Sequence, residues 1–448
     1  MQLAGRNVLV IGLGLSGVAA ALLALRCGAR VVANDASPRE RLSPEAIGLE
    51  AAGVRVVAGG HDGALFSGTD LVVLSPGVPS FQALEAFEAA GGEVIGELEL
   101  ASRFVTAPIA LIGGTNGKST TTALVHAMLE AEGLRTFIGG NFGTPLAEAV
   151  GQPFDALVLE ISSFQAERVP TLHARTHALL NITEDHLDRY PSFEAYANAK
   201  GNPFERMTAD DTAVIPFGDP IVLRQAARGK ARQVTFSAED PRADISVEGS
   251  DIVDLITGER YPLSLLRIKG THNVANACAA IATASAMGAK PGSIWKALAT
   301  FSGLGHRTVL VAEIEGVRYY DDSKGTNVGA SVAALRGLVE PKAVLIAGGR
   351  DKLGAYAPLV DALRDKGRAL VLIGEAADRI AATAHGVVPI RRAASMEEAV
   401  QIARGLARPG DAVLLSPACS SLDMFRDYKD RGDVFARAVL AMQQEEKP

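Results

Sequence analysis

The most explicit chemistry in the sequence lies in the run Gly114-Thr115-Asn116-Gly117-Lys118-Ser119-Thr120. It sits between an apolar run at 108–112 and a helical pattern from 118 to about 130, the arrangement of a phosphate-cradling loop that opens a helix. Free N–H groups and the helix dipole favour anions there; Lys118 would reach β- and γ-phosphates, and the Ser119 hydroxyl suits Mg²⁺. The first glycine of the commonest spacing would fall on Ile112, so a nucleotide loop of a shorter subtype is expected. Glu160 is delivered by the strand-like run 155–161 (DALVLEI), apolar between Asp155 and Glu160, where a strand-end carboxylate beside phosphates reads as a Mg²⁺ ligand or as a paired structural acid. Beyond a further apolar run at 177–182, Asp185, His186 and Asp188 crowd a turn, and Lys200 ends the helix that follows. His186 reads as a ligand in that crevice or as a satisfied structural histidine.

Two other constellations flank this one. Gly12, Gly14 and Gly17 form G-x-G-x-x-G after a strand at 7–12, with Asp35 at the end of the next strand and Ser75-Pro76-Gly77 after another. Alone this admits any nucleotide diphosphate, with NAD as the default; Ser75 would form the opposite lip of the crevice, or sit in a plain turn. Towards the C-terminus the loops 321–327 (DDSKGTN), 348–352 (GGRDK) and 416–425 (SPACSSLDMF) each follow an apolar strand. His272, Asn273 and Asn276 open a helix over 270–287, either capping it or reading a purine edge.

These groups need strands to hold them. Strands at 7–12, 30–34, 54–57 and 70–74 with helices between predict a parallel sheet. A helical connector at 96–104 leads into the loop domain, whose strands include a short one ahead of Ile138-Gly139-Gly140-Asn141. The run 162–165 is expected as a loop. From 211 to 270 short strands and turns, with a hairpin at Thr257-Gly258, predict an antiparallel annex. Strands at 342–347, 370–373 and 411–415 build the last domain. The fold class is therefore α/β with three domains: Rossmann-like over 1–96, a central P-loop ATPase-like domain with a mixed sheet over 97–303, and Rossmann-like over 304–448. A site in the cleft between them is expected.

The chain's 448 residues, 48% of them hydrophobic, suffice for two to four cores. The formal charge of −7, without a basic tail or patch, argues against nucleic acid as the main partner. Cys27, Cys278 and Cys419 are far apart and lack ligand spacing, which suggests a reducing cytoplasm and no cysteine zinc site. The stretch 8–25 imitates a membrane span, but its glycines and the strand after it predict strand, turn and helix.

Taken together, GTNGKST, GGNFGTP, LEISSFQ, NITEDHLDRYPSFEAYANAK, GTHNVANACAA, GLGHR, DDSKGTN and SPACSSLDMF resemble the Mur ligases, ATP-dependent amide ligases of peptidoglycan synthesis. The resemblance spans nearly the whole chain. DDSKGTNVGA, GGRDK and SPACSSLDMFRDYKDRG look closest to the members that add D-glutamate to UDP-MurNAc-L-alanine; the other Mur-type ligases and folylpolyglutamate synthetase usually differ at these loops. The resemblance implies a UDP-substrate crevice lined by Leu15, Ser16, Asp35 and Ser75, with Asn141 and His186 towards the sugar. It implies ATP on Gly114 to Thr120, Lys118 and Ser119 included, and on Asn273, Asn276, Arg307 and Asp322. Glu160, His186 and Lys200, the last as an N-carbamate, match the magnesium site. Lys324, Thr326, Lys352, Ser421 and Leu422 match the amino-acid pocket. Ser37 replaces a frequent basic residue, with Arg39 as the candidate substitute; Tyr428 stands where Phe is expected, and Gly305 where Pro often precedes His306-Arg307.

Amide formation from a carboxylate needs a leaving group. Phosphoryl transfer from ATP supplies one as an acyl phosphate, with two Mg²⁺ ions expected and the amine of glutamate attacking next. The competing class, a nicotinamide oxidoreductase, leaves Lys118-Ser119 and the acid and histidine cluster unexplained. A non-catalytic nucleotide switch would not need two further loop-rich domains. A monomer free of membrane and nucleic acid is expected.

Overall fold

The computed structural model describes residues 2–268 and 270–445. Three sheets follow one another along the chain. The first holds β1 (Asn7–Ile11), β2 (Arg30–Asp35), β3 (Arg55–Ala58), β4 (Leu71–Leu74) and β5 (Val94–Gly96), all parallel, in the order β3-β2-β1-β4-β5. The chain builds outward from β1 on one side and then on the other, which opens a crevice beyond the ends of β1 and β4. The membrane-like stretch at 8–25 breaks into β1, a glycine turn and the helix Leu15–Arg26. Among the described residues no helix is long and apolar enough to cross a membrane.

The second sheet carries β6 (Ile109–Gly113), β7 (Thr136–Gly140), β8 (Ala156–Glu160), β9 (Thr176–Leu179), β10 (Thr212–Pro216), β11 (Arg232–Phe236), β12 (Ile245–Glu248), β13 (Asp251–Asp254) and β14 (Arg260–Pro262). Its order is β14-β13-β12-β11-β10-β9-β6-β8-β7. Strands β6, β8 and β9 are buried throughout, as parallel strands covered on both faces must be.

Three expectations change here. The region from 211 to 270 is no separate annex, because β10, β11 and β12 extend the parallel sheet and only the β12–β13 and β13–β14 pairings are antiparallel, with the expected hairpin at Gly258. A helix, Pro220–Ala226, also lies inside it, capped by Asp219, whose side chain accepts from the Ile221 and Val222 amides ahead of a proline in the first turn. The run at 162–165 folds as the short helix Ser163–Ala166 under a capping box of Ser162 and Gln165.

The third sheet holds β15 (Val309–Ile314), β16 (Val317–Asp321), β17 (Ala343–Gly348), β18 (Gly367–Ile373), β19 (Ile390–Arg392) and β20 (Ala412–Leu415), ordered β15-β16-β20-β17-β18-β19. Only β15 is antiparallel to its neighbour. The three loops singled out from the sequence leave β16, β20 and β17, which are adjacent strands.

By compactness the chain divides into two units: Met1–Ile182 with Glu194–Leu265 and Ala275–Thr300, and Thr183–Phe193 with Leu266–Val274 and Phe301–Pro448. Inside the first unit the first two sheets share one core, running from Leu3 and Val8 to Leu157 and Ala174. The connector helix Glu97–Ser102 is buried in that core, and Glu97 with it. Its Oε1 accepts from the Ala147 amide (2.7 Å), while Oε2 finds no hydrogen-bond partner among the described residues, and burial pushes the carboxyl up to about 7. A carboxyl protonated in the fold and ionised when unfolded contributes stability that is lost as pH rises from about 4.5 through about 7. Glu97→Gln, which keeps an acceptor for Ala147 without the charge, is expected to lose on the order of 2 kcal/mol less than wild type across that window. Melting temperatures at pH 5 and 8 check this; equal pH slopes for the two proteins would refute it.

Candidate functional site

In the first unit, β6 delivers the phosphate loop to the helix Lys118–Ala131. Gly117, the residue before that helix, is left-handed (φ +86°), and a Cβ there would meet Asn276 Oδ1 at 2.2 Å. Glycine is thus required twice over, for the backbone and for the seat of Asn276. The loop is clamped from β9's side: Asn181 Oδ1 accepts from the Asn116 amide (2.9 Å), and Asn181 Nδ2 donates to Asn116 O (3.0 Å). Thr115 Oγ1 meets the Tyr196 hydroxyl (3.0 Å). Neither Asn181 nor Tyr196 was singled out from the sequence; the only local signal was a polar residue ending the apolar run that carries β9.

Lys118 Nζ donates back to Thr115 O (2.9 Å), and Ser119 and Thr120 are buried just inside the helix. Glu160, buried at the end of β8, accepts from Asn141 Nδ2 (2.6 Å), and the Asn141 amide donates to Glu160 O (2.8 Å). Asn141 therefore orients the acid, although the resemblance placed it towards a sugar. Lys200, buried at the end of the helix Phe193–Gly201, donates from Nζ to Gly114 O (2.7 Å) and lies 4.8 Å from the Tyr196 ring centre.

At the first crevice, Gly12 is left-handed and a Cβ there would come within 2.6 Å of Val78; a Cβ at Gly17 would strike Gly12 O at 1.8 Å. Gly14 faces open space, and Leu15 is 75% exposed beside half-buried Ser16. Asp35 accepts from the Leu13 amide (2.7 Å) and the Ser37 amide (2.8 Å); burial opposes its ionisation, but those N–H groups hold the carboxyl low. Ser75 Oγ donates to Gly12 O (2.7 Å). Both side chains therefore shape the glycine turn itself. Arg39 is held bidentate by Glu50 (2.7 and 2.6 Å), which weakens it as a stand-in for the basic residue absent at Ser37.

The second unit collects the other candidates. Burial pushes Asp322 up to about 7, although Ser416 Oγ donates to it (2.6 Å) and the positive charge of Arg307 pulls it down. Asn273 is half-buried in the first turn of the helix Thr271–Ala286. A cavity of about 270 Å³ is lined by Thr183, Glu184, Asp185, Asn327, Lys352 and Tyr356, among others. Within it Asp185 takes Lys352 Nζ (3.1 Å) and Asn327 Nδ2 (3.2 Å), so Lys352 already holds a carboxylate. His186, left-handed at φ +55°, places Nε2 3.6 Å from the same acid. Lys324 Nζ lies 3.9 Å from the Tyr428 ring centre, a contact that Tyr makes as well as the expected Phe. Thr326 is half-buried, with its amide donating to Lys324 O (2.8 Å); Ser421 is buried and Leu422 is 59% exposed.

Hard oxygen donors at Ser119 and Glu160 fit Mg²⁺. Among the described residues no three His, Cys, Asp or Glu side chains gather as a metal cage, so phosphate oxygens and water would complete such a shell, as is usual for this ion.

Three domain profiles match in succession: Mur ligase MurD-like N-terminal domain over residues 6–96, Mur ligase middle domain over 112–284, and Mur ligase glutamate ligase domain over 306–419. The chain is 46% identical to the UDP-N-acetylmuramoylalanine–D-glutamate ligase of Syntrophotalea carbinolica, over 99% of both chains. It is 44% identical to that of Geobacter metallireducens over the full length of both. A pseudomurein peptide ligase type C from Methanothermus fervidus shares the fold (TM-score 0.64, 18% identity, covering 98% of this chain and 100% of the other). With three consecutive domain matches and end-to-end likeness to these relatives, the chain belongs to the Mur ligase family.

Proposed function

We propose that the protein joins D-glutamate to UDP-N-acetylmuramoyl-L-alanine at the expense of ATP, in peptidoglycan synthesis. The observation that carries the reading is the phosphate loop, with Gly117 left-handed against Asn276 and Lys118 at the helix start. The relatives' shared name supplies the substrates. The L-alanine carboxylate attacks the γ-phosphorus, releasing ADP and forming an acyl phosphate. The deprotonated glutamate amine then attacks the acyl carbon, and phosphate leaves as the amide forms. Loop amides and Lys118 neutralise the transferring phosphoryl group. Ser119 and Glu160, with His186 and a carbamylated Lys200, would hold Mg²⁺, whose chemistry when bound is charge neutralisation on the phosphates. Asn273, Asn276, Arg307 and Asp322 are assigned to the nucleoside, and the glycine turn with Leu15, Ser16, Asp35 and Ser75 to the UDP moiety. Lys324, Thr326, Lys352, Ser421 and Leu422 are assigned to glutamate.

Phosphate release in the presence of ATP and UDP-MurNAc-L-alanine tests this. D-glutamate is expected to support turnover at least about a hundredfold better than L-glutamate, because a site built on fixed polar contacts leaves groups unpaired with the wrong isomer. Equal rates with both isomers, or phosphate release without any amino acid, would overturn the assignment.

A further inference from the structure

The loops after β16, β17 and β20 are laced together by their backbones. The Asp322 amide donates to Leu415 O, Gly348 to Pro417 O and Ala418 to Gly325 O, each at 2.8 Å, and Arg350 and Ser420 exchange bonds of 2.9 and 3.1 Å. Against them lies Arg431, in the first turn of the helix Tyr428–Glu445, with 0% of its surface exposed. Its Nε donates to Ser323 Oγ (3.0 Å), Nη2 to Ser323 O (2.8 Å) and Nη1 to Cys419 O (3.2 Å). A Cβ on Gly349 would lie 3.3 Å from Nη1, so the guanidinium bonds two of the loops and lies beside the third.

Among the described residues no carboxylate comes within ion-pair distance of this guanidinium. Burial accordingly pushes its pKa down to about 10, against the more distant pull of Asp423, Asp321 and Asp322. Burying a charge without a counterion is costly, and an apolar side chain of similar volume would fill the same space without that cost. Only a planar fork of fixed donors can tie a hydroxyl and two carbonyls on separate loops in one geometry. The same helical turn is keyed to its surroundings twice more. Ser323 Oγ donates to Tyr428 O (2.8 Å), and Gly432 leaves room for His306, whose Nδ1 a Cβ would meet at 2.2 Å.

We propose that Arg431 is a positioning residue for the incoming amino acid: through Ser323 and Cys419 it sets the spacing between the loop of Lys324 and Thr326 and the loop of Ser421. The proposal rests on assigning those loops to glutamate. A guanidinium touching no substrate then decides how well two loops grip the two carboxylates of one small molecule.

The test compares Arg431→Met, Arg431→Lys and Arg431→Ala in the full chain by phosphate release, with melting temperatures alongside. Arg431→Met is expected to raise KM for D-glutamate about tenfold or more, with KM for ATP and for UDP-MurNAc-L-alanine within about threefold of wild type; Arg431→Lys should fall between. Added guanidinium ion, but not ammonium, should lower the glutamate KM of Arg431→Ala, since only a planar donor refits the gap. If Arg431→Met fails to fold, Ser323→Ala carries the same KM comparison with the buried charge in place. A folded variant with unchanged glutamate KM, or with all three KM values raised together, overturns the proposal. A wild-type enzyme inert with D-glutamate overturns the function on which it rests, and is told apart because no variant is needed to see it.

Discussion

Lys118→Ala is expected to lower turnover roughly a thousandfold or more while the protein stays folded. The loop does not depend on this lysine for its shape. Asn181 binds Asn116 in both directions, Thr115 is tied to Tyr196, and Gly117 supplies the left-handed turn. Losing the bond from Lys118 Nζ to Thr115 O removes one interaction worth about 1 kcal/mol to the fold. Losing the charge removes neutralisation of a transferring phosphoryl group, which matters most where charge develops in the transition state. Phosphate release measured beside circular dichroism separates the two effects, and near-normal turnover in a folded variant would sink the assignment. Lys118→Arg should rescue little, because the guanidinium is a planar fork and not a compact point charge.

Lys200→Ala carries the second large effect, an expected loss of roughly a hundredfold or more in turnover. As an unmodified lysine, Lys200 donates to Gly114 O, which makes it a strut beneath the phosphate loop. An ammonium has no lone pair for a metal, so a place in a Mg²⁺ shell requires the carbamate that the family resemblance implies. The two roles part in the alanine variant. If the carbamate operates, acetate or another short carboxylate restores part of the lost activity by supplying the missing oxygen ligand. If the ammonium strut is what matters, small amines restore activity and carboxylates do not, and the carbamate idea fails.

How much of this was legible beforehand follows from the range of each interaction. The phosphate loop, the glycine turn and the strand-end position of Glu160 can be read locally, because a left-handed residue, a close backbone approach and an apolar run each leave a mark within a few residues. The short helices Ser163–Ala166 and Pro220–Ala226 left marks too, a capping box and an Asp-Pro start, but lay among stronger strand and turn signals. The family's ordered motifs supplied the substrates and the D configuration of glutamate, which no spacing encodes. The remainder belongs to tertiary structure. Asn116 and Asn181 are 65 residues apart, Thr115 and Tyr196 81, and Ser323 and Arg431 108. Asp185 reaches Lys352 across 167 residues, turning an expected substrate-binding lysine into one that already holds a carboxylate. Strand order β16-β20-β17 makes neighbours of three loops that are scattered along the chain. Residue type along the sequence determined which chemistries were present; which polar groups meet depends on sheet order and burial, because a buried donor must take whichever acceptor the packing sets beside it.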